Sequence, residues 1–281
     1  MCGNFYGKRI IRKSIGIFNQ STSFLREPPD FLIMGSARCG KTSLYNYLLQ
    51  STEIFQNFRS ETSFFDINYD RGLSWYKSNF PTKIYKKFLN QSNNGLVGEV
   101  IHINSPHIPK RLKKVNSNPK IIVVLRNPTD RAYSHFLMSK RLKDEEENTI
   151  FEDVLDQENI RINLAKKNNE TIFDIHQRQW FLYKTNGIYI NNLKEWWKFF
   201  PKKEMLFLKS EDLFYNTEDV VNTTLQFLGL NQLEKLKKID NFHDKNEEMI
   251  NSDTRNHLIE FFKPYNEKLY SEIGINFEWD K

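Results

Sequence analysis

A short loop near the N-terminus combines glycines, a hydroxyl and two cations in the spacing of a phosphate-binding loop. Gly35, Gly40, Lys41 and Thr42 fit the pattern G-x-x-x-x-G-K-[ST] letter for letter. In such a loop the backbone N–H groups and the dipole of the following helix bind an anion, and Arg38 adds further positive charge. The loop is therefore suited to a phosphate or a sulfate, and its residues alone do not say which.

An ATP-hydrolysing protein needs a carboxylate beside this loop, because Mg²⁺ is held partly by an acidic residue at the end of a second strand. The best candidate strand is KIIVVL at 120–125, and it ends in Arg126, a cation that repels Mg²⁺ and attracts a second anion. Asp212 follows another apolar run, but only after three intervening residues. The sequence therefore favours an anion without a metal. An ATP-dependent phosphotransferase or NTPase stays as an alternative.

The segment RNPTDRAYSHF at 126–136 offers a second anion site. Pro128 suits the first turn of a helix, so Arg126 lies just before the helix and Ser134 lies two turns into it. One guanidinium and one hydroxyl can then converge on a single phosphate. The alternative interpretation is that Arg126 and Arg131 form ion pairs on the surface.

The composition limits the function classes. A chain of 281 residues with a net charge of +6 suits one large α/β domain, or two small ones, and an anionic ligand. No arginine-rich tract or zinc-finger spacing indicates nucleic acid. Cys2 and Cys39 cannot form a disulfide framework, which favours a reducing compartment. With neither a convincing signal peptide nor an apolar run of about 18 residues, we expect a cytoplasmic protein without a membrane span.

Apolar runs and helical stripes alternate along the chain. The first run is followed by the loop and then by a helical pattern, which is the strand–loop–helix context that a phosphate loop requires. Alternation of this kind predicts an α/β fold, with a central parallel β-sheet flanked by helices in a single P-loop-like domain. We expect that domain to span 29–281, after an irregular N-terminal arm at 1–28. The predicted strands are 31–34, 96–100, 120–125 and 204–208, and helical stripes lie at 193–200, 220–228 and 258–269, the last interrupted at Pro264.

Several segments, in this order, resemble the PAPS-dependent sulfotransferases, specifically the heparan-sulfate-type enzymes and the related bacterial carbohydrate group. The match covers about residues 30–280, and KIIVVLRNPTDRAYSHF is its most specific part. The other segments are FLIMGSARCGKTSLYNYL, SETSFFD, GEV, NGIYINNLKEWWKFFP, LFLKSEDLFYNTEDVVNTTLQFLGL and FFKPYNEKLYSEIGINFEW.

The resemblance implies transfer of a sulfuryl group from 3′-phosphoadenosine 5′-phosphosulfate (PAPS) to a hydroxyl, or less readily an amine, of a carbohydrate, with PAP as the product and no metal. It implies that Glu61 is the general base and that Arg38 and Lys41 stabilise the leaving group. Two alternatives remain, namely a surface role for Glu61 beside Arg59 and a non-catalytic nucleotide- or glycan-binding protein. The implied donor-binding residues are Arg38, Cys39, Gly40, Lys41, Thr42 and Ser43 on the loop, with Arg126 and Ser134 at the 3′-phosphate.

The departures from the family pattern concern the acceptor. Ser63 stands two positions after the base, where relatives often carry His, and Ile101-His102-Ile103 replaces a Ser/Thr-Pro. A Lys-Gly-Arg loop over the cofactor is missing, and we assign that region to His243, Lys245 or Asn246.

The candidate acceptor-binding residues are Ser63, Asp66, His102 and His107. For each of the two histidines the alternative is a structural role. A basic set that either contacts an acidic glycan or serves solubility comprises Lys86, Lys87, Lys110, Arg111, Lys113 and Lys114.

Overall fold

The computed structural model of the chain describes residues 16–89, 95–168, 182–239 and 249–280. Within these ranges five parallel strands form one sheet in the order β2-β3-β1-β4-β5. The predicted α/β fold with a central parallel sheet is confirmed. The strands are β1 (Phe31–Gly35), β2 (Ile54–Phe55), β3 (Leu96–His102), β4 (Lys120–Leu125) and β5 (Met205–Lys209).

Helices follow the strands along the chain and flank the sheet. The 3₁₀ segments are Ser23–Leu25, Tyr69–Arg71, Thr185–Gly187 and Lys202–Glu204. The α-helices between 41 and 167 are α1 (Lys41–Leu48), α2 (Gly72–Lys77), α3 (Lys83–Leu89), α4 (Ile108–Val115), α5 (Pro128–Leu142) and α6 (Phe151–Lys167). The later ones are α7 (Tyr189–Trp197), α8 (Ser210–Tyr215), α9 (Thr217–Leu228) and α10 (Ser252–Ile273).

Strand β1 lies at the centre of the sheet and positions the phosphate loop. All five of its residues are buried, as expected for a continuous apolar run covered on both faces. A Cβ on Gly35 would lie 2.3 Å from the carbonyl oxygen of Val124, so only glycine lets the start of the loop pass this close to β4. The loop leaves at the carboxyl edge of the sheet, where ligands of open α/β folds bind.

Strand β2 and helix α10 differ from the sequence prediction. The two residues of β2 are too few to give a periodic signal, and the strand was missed. The expected interruption of the last helix at Pro264 is wrong, because α10 continues through that residue. Pro264 is exposed, so water can satisfy the carbonyl that loses its partner, while the buried Leu258, Phe262 and Leu269 hold the helix on the domain.

The segment expected to be an irregular arm has a packed second half. Residues 16–21 are helical, and Arg26 is buried, donating to Asn19 Oδ1 at 2.8 Å and to the carbonyl of Phe80. The described part of this segment is thus fixed by a buried guanidinium whose hydrogen bonds the local sequence does not reveal. Across the described ranges, no helix combines the length and apolar character needed to cross a bilayer.

Candidate active site

The loop after β1 wraps around the start of α1. Gly40 is the N-cap residue and has a φ of 84°, which is a left-handed conformation that favours glycine. Arg38 is also left-handed, with a φ of 69°. The Lys41 ammonium donates to the carbonyl of Ser36 at 2.9 Å, and the hydroxyl of Ser36 lies 2.8 Å from the carbonyl of Asn186. The loop is therefore stabilised by its own Lys41 and by Asn186, which lies in the segment before α7.

Helix α5 brings the second predicted anion site against the loop. Asn127 caps the helix by accepting from the Thr129 amide at 3.0 Å, which places Arg126 directly before the first turn. The Arg126 guanidinium donates to the carbonyl of Arg38 at 3.2 Å, and Arg38 Nε donates to Ser134 Oγ at 3.0 Å. Three residues predicted to bind the donor thus lie in one connected group.

Glu61 faces the loop from the other side and pairs with His102. Their Oε1 and Nε2 atoms are 2.7 Å apart, and their side chains are 34% and 28% exposed. Burial raises the pKa of Glu61, but the hydrogen bond from His102 and the charges of His102 and Lys41 outweigh it and hold that pKa below its usual value. The guanidinium of Arg59 lies over the Trp75 ring instead, 5.8 Å from its centroid. The partner of Glu61 is therefore a histidine in the cleft.

A cleft of about 480 Å³ joins these groups. It contains the phosphate loop, the Glu61–His102 pair and Arg126, so the structure brings together residues that the sequence singled out separately. Ser134, a predicted donor-binding residue, is buried and does not line the cleft, but its hydroxyl accepts from Arg38, which does. The lining residues are Ala37, Arg38, Cys39, Gly40, Lys41, Thr42, Ser43, Asn46, Glu61, His102, Arg126, Met138, Phe214 and Ile239.

Lys41 supplies a buried positive charge to the loop. Its side chain reaches Ser36, and the residue is 6% exposed. Burial lowers the pKa of the ammonium; nearby Cys39 and Glu61 oppose that shift, and Arg131 adds to it. An anion bound to the loop would favour the charged form, which is the form that stabilises such a ligand.

Arg131 is the second buried cation of this region, and its prediction as a possible surface ion-pair residue is wrong. It is 0% exposed and donates to the carbonyls of Tyr183 and, at 3.5 Å, Ala37. Its Nε atom has no hydrogen-bond partner within the described part of the chain. Among the described residues its hydrogen-bond partners are backbone carbonyls, so Arg131 places a buried positive charge behind the loop.

Of the four candidate acceptor-binding residues, one lines the cleft, namely His102. Ser63 is half-buried with a φ of 49°. Asp66 accepts from the Ile67 amide at 2.6 Å, and burial raises its pKa against the charges of His102 and that hydrogen bond. His107 is exposed at the start of α4 and does not line the cleft. Acceptor binding by all four residues stays a prediction.

The chain matches the family described as "Sulfotransferase domain" over residues 28–268. It belongs to the sulfotransferase family. That match covers most of the chain and confirms the resemblance that the ordered sequence segments indicated.

Curated relatives of this sulfotransferase-family chain share about a quarter of its residues. Membrane-associated sulfotransferase kil1 of Dictyostelium discoideum is 23% identical over 321 residues, covering 89% of this chain and 66% of that protein. Human heparan sulfate glucosamine 3-O-sulfotransferase 3B1 is 24% identical over 283 residues, covering 92% and 67%. The bifunctional heparan sulfate N-deacetylase/N-sulfotransferase 1 of Caenorhabditis elegans is 27% identical over 208 residues, covering 72% and 22%. The chain thus spans about two thirds of the first two proteins and about a fifth of the third.

A solved structure supports the same fold. The sulfotransferase from Alicyclobacillus acidocaldarius superimposes with a TM-score of 0.68 at 24% identity, covering 90% of this chain and 99% of that one. The sulfotransferase-family chain therefore shares its overall fold with that structure.

Sequence reasoning missed Phe214 and Ile239, which line the cleft of this family member. Phe214 lies on α8 and Ile239 lies after α9, so both reach the loop only through the tertiary fold. Phe214 is half-buried, and nothing in the local sequence marks it or Ile239 as a cleft residue.

Three members of the basic set make structural contacts, of which Lys113 donates to the carbonyl of Ser117 at 2.8 Å. Arg111 donates to the carbonyls of Phe65 and Asp66 at 2.7 and 3.2 Å, which fixes the segment after Glu61. Lys86 pairs with Asp30 at 2.8 Å.

His243, Lys245 and Asn246, assigned to the region of the missing cofactor loop, lie outside the described residues. Over the ranges that are described, no group of three or more His, Cys, Asp or Glu could hold a metal ion.

Proposed function

We propose that this protein transfers a sulfuryl group from PAPS to a hydroxyl, or less readily an amine, of a carbohydrate acceptor. The observation that carries this proposal is one cleft in which an anion-binding loop faces the Glu61–His102 pair. Membership of the sulfotransferase family supports the reaction. The acceptor class rests on relatives named heparan sulfate glucosamine 3-O-sulfotransferase and heparan sulfate N-deacetylase/N-sulfotransferase.

The donor needs two anion sites, and the cleft has two groups of residues suited to them. The loop amides, Arg38 and Lys41 suit the 5′-phosphosulfate, because they combine a helix N-terminus with positive charge. Arg126 and Ser134 suit the 3′-phosphate, and Arg38 contacts both of them. The buried guanidinium of Arg131, which reaches the carbonyl of Ala37 in the loop, adds positive charge that favours an anionic ligand here.

The chemical step requires a base and a stabilised leaving group. PAPS supplies the sulfuryl group. Glu61 accepts the proton of the acceptor O–H as the acceptor oxygen bonds to sulfur, and the breaking S–O bond leaves its electron pair on the phosphate oxygen. Arg38 and Lys41 stabilise that oxygen's negative charge, so PAP is released as the anion. A low pKa keeps Glu61 ionised at neutral pH and ready to accept the proton.

Donor selectivity separates this proposal from an ATP-dependent enzyme. PAP at about 100 times its Kd is expected to stabilise the protein by about 2.7 kcal/mol, which is about 5 °C in melting temperature. At the same concentration, ATP with Mg²⁺ is expected to give a smaller shift in melting temperature. The residue that follows β4 is the cation Arg126, which repels Mg²⁺. Thermal unfolding with each ligand measures the difference.

Three outcomes of that experiment and a turnover assay decide between the candidates. Stabilisation by ATP with Mg²⁺ alone would overturn the proposal in favour of a phosphotransferase or NTPase. Stabilisation by PAP without turnover of PAPS on any of a panel of desulfated glycans would favour a non-catalytic binding protein. Stabilisation of the protein by PAP, together with formation of a sulfated product from PAPS, supports the proposed sulfotransferase activity.

His102 is expected to hold Glu61 as a low-pKa base. In His102→Ala the hydrogen bond that lowers the pKa of Glu61 is lost, so that pKa rises and the acid limb of the pH–rate profile moves to higher pH. We also expect kcat to fall about 10-fold, because the base is less well oriented. Profiles of kcat against pH for this variant and for His257→Ala, an exposed histidine on α10, test the role. An unmoved acid limb in His102→Ala would argue against it.

The cytoplasmic location stays a prediction from the sequence. The name of the Dictyostelium relative places that protein at a membrane. Fractionation of cells that make the natural protein distinguishes a cytoplasmic from a membrane-associated location.

A further inference from the structure

Strand β3 carries a carboxylate that is fully enclosed by the protein. Glu99 is 0% exposed, and its Oε1 accepts from the amide of Thr62 at 3.2 Å and from the Thr62 hydroxyl, while Oε2 accepts from the hydroxyl of Tyr76 at 2.6 Å. All three partners are neutral. Burial raises the pKa of Glu99 to about 7, although the hydrogen bonds from Thr62 and Tyr76 favour its ionised form. Burying a carboxyl group among neutral partners lowers the stability of the folded protein, which points to a role for its hydrogen bonds.

The hydrogen bonds of Glu99 fix the backbone next to Glu61. On one side of Glu61, the amide of Val100 donates to the carbonyl of Ser60 at 2.8 Å. On the other side, the Thr62 amide and hydroxyl are held by the Glu99 carboxylate. Consecutive residues of β3 therefore bind the chain immediately before and immediately after Glu61.

The turn that follows has a conformation that needs such support. Ser63 has a φ of 49°, a left-handed conformation that is unfavourable for a residue with a Cβ. Asn68 closes the turn, since its Nδ2 donates to the Thr62 carbonyl at 2.9 Å and its amide donates to the Ser63 carbonyl at 3.0 Å. Without the hydrogen bonds from Thr62 to Glu99, fewer contacts hold this turn in its conformation.

The same strand also binds the side chain of Glu61. His102 lies three residues after Glu99 on β3 and contacts the Glu61 carboxylate at 2.7 Å. We propose that Glu99 is a positioning residue, which anchors the backbone at Thr62 and thereby aims Glu61 at the cleft. The inference rests on the proposed role of Glu61 as the base.

Hydrogen–deuterium exchange tests the anchor without any acceptor. In Glu99→Met, peptides that cover 60–68 are expected to exchange about 10-fold faster, the equivalent of one net hydrogen bond, while peptides that cover 35–43 are unchanged. In Glu99→Gln the exchange is expected to stay near that of the wild type, because the amide oxygen can still accept from Thr62. Thr62→Val removes the hydroxyl that donates to Glu99 and accepts from the Phe64 amide at 3.1 Å, and it provides a second variant if Glu99→Met does not fold.

Turnover then tests whether the anchor matters for the reaction. With PAPS and desulfated heparan sulfate, kcat of Glu99→Met is expected to fall about 10- to 100-fold, with unchanged KM for PAPS and unchanged stabilisation by PAP. Glu99→Gln is expected to retain most of the activity. Tyr76→Phe serves as the matched control, because it removes the donor to Oε2, whereas both hydrogen bonds from Thr62 go to Oε1.

Three results would overturn the proposal. The first is unchanged exchange at 60–68 in both Glu99→Met and Thr62→Val. The second is faster exchange throughout the domain with unchanged kcat, which indicates a general packing role. The third is Glu99→Gln as impaired as Glu99→Met, which indicates that the charge or proton of Glu99 acts directly. A failure of Glu61 as the base is distinguishable, since Glu61→Gln would then turn over normally while the exchange results stay as expected.

Discussion

Replacing Glu61 by glutamine is expected to lower kcat by about 10²- to 10⁴-fold, which is the range for loss of a general base. Glutamine has the same shape and keeps an oxygen for His102, so the cleft is expected to retain its structure. What the variant loses is the ability to accept the proton of the acceptor. The donor groups lie on the loop and on α5, so PAP binding is expected to stay intact.

Three measurements are needed for Glu61→Gln: kcat with PAPS and an accepted glycan, the melting temperature, and the stabilisation by PAP. Glu272→Gln is a suitable control, because this carboxylate on α10 pairs with Lys202 and does not line the cleft. Since the pKa of Glu61 is lowered, its protonation reduces the wild-type rate only as the pH falls below the usual value of a glutamate. Full turnover by Glu61→Gln with intact PAP binding would exclude Glu61 as the base.

Replacing Arg126 by alanine is expected to weaken PAP binding by about 10- to 100-fold, the effect of losing charge-assisted hydrogen bonds to a phosphate. Arg126 lies before the first turn of α5, and its guanidinium contacts the carbonyl of Arg38 in the loop. Arg126 lies on the segment that leads into α5, the helix that carries Ser134, and outside the loop itself, which suits the second of two anions rather than the first. The loss should therefore concern the 3′-phosphate.

Comparison of two nucleotides isolates that effect. Titration calorimetry with PAP and with AMP, which lacks the 3′-phosphate, measures the advantage that this group gives in the wild type and in Arg126→Ala. We expect the variant to lose most of the advantage, and the AMP affinity to change little. Arg161→Ala is a control with the same change of charge, on α6 and outside the cleft. Equal weakening for both nucleotides would show that Arg126 acts by supporting the loop, and unchanged PAP binding would remove it from the donor site.

The sequence predicts well those features that consecutive residues determine. The apolar run at 31–34, the glycines of the loop and the stripe that follows specify strand β1, the anion-binding loop and helix α1 in order. Anion binding there is a property of the backbone amides at a helix N-terminus, so the local pattern is enough to predict it. The same holds for Arg126 and Ser134, which one helix places relative to each other.

Errors arose where packing outweighed a local rule. Pro264 stays within α10 because buried side chains on both sides of it hold the helix. Arg131 is enclosed by the loop and by the segment before α7, whereas its type alone indicates a surface position.

The sequence by itself determined the fold class, the phosphate loop and the family. Only the tertiary structure decided which carboxylate faces that loop and what holds it there. The strand order places β3 beside β1, and the register pairs His102 with Gly35, so the end of β3 lies next to the loop. The hydrogen bond from the Val100 amide to the Ser60 carbonyl holds the 60–62 segment against β3, where Glu61 contacts His102 and Thr62 contacts Glu99. Contacts of this kind depend on strand order and register, which are set by the packing of the whole sheet and leave no periodic signal in the chain.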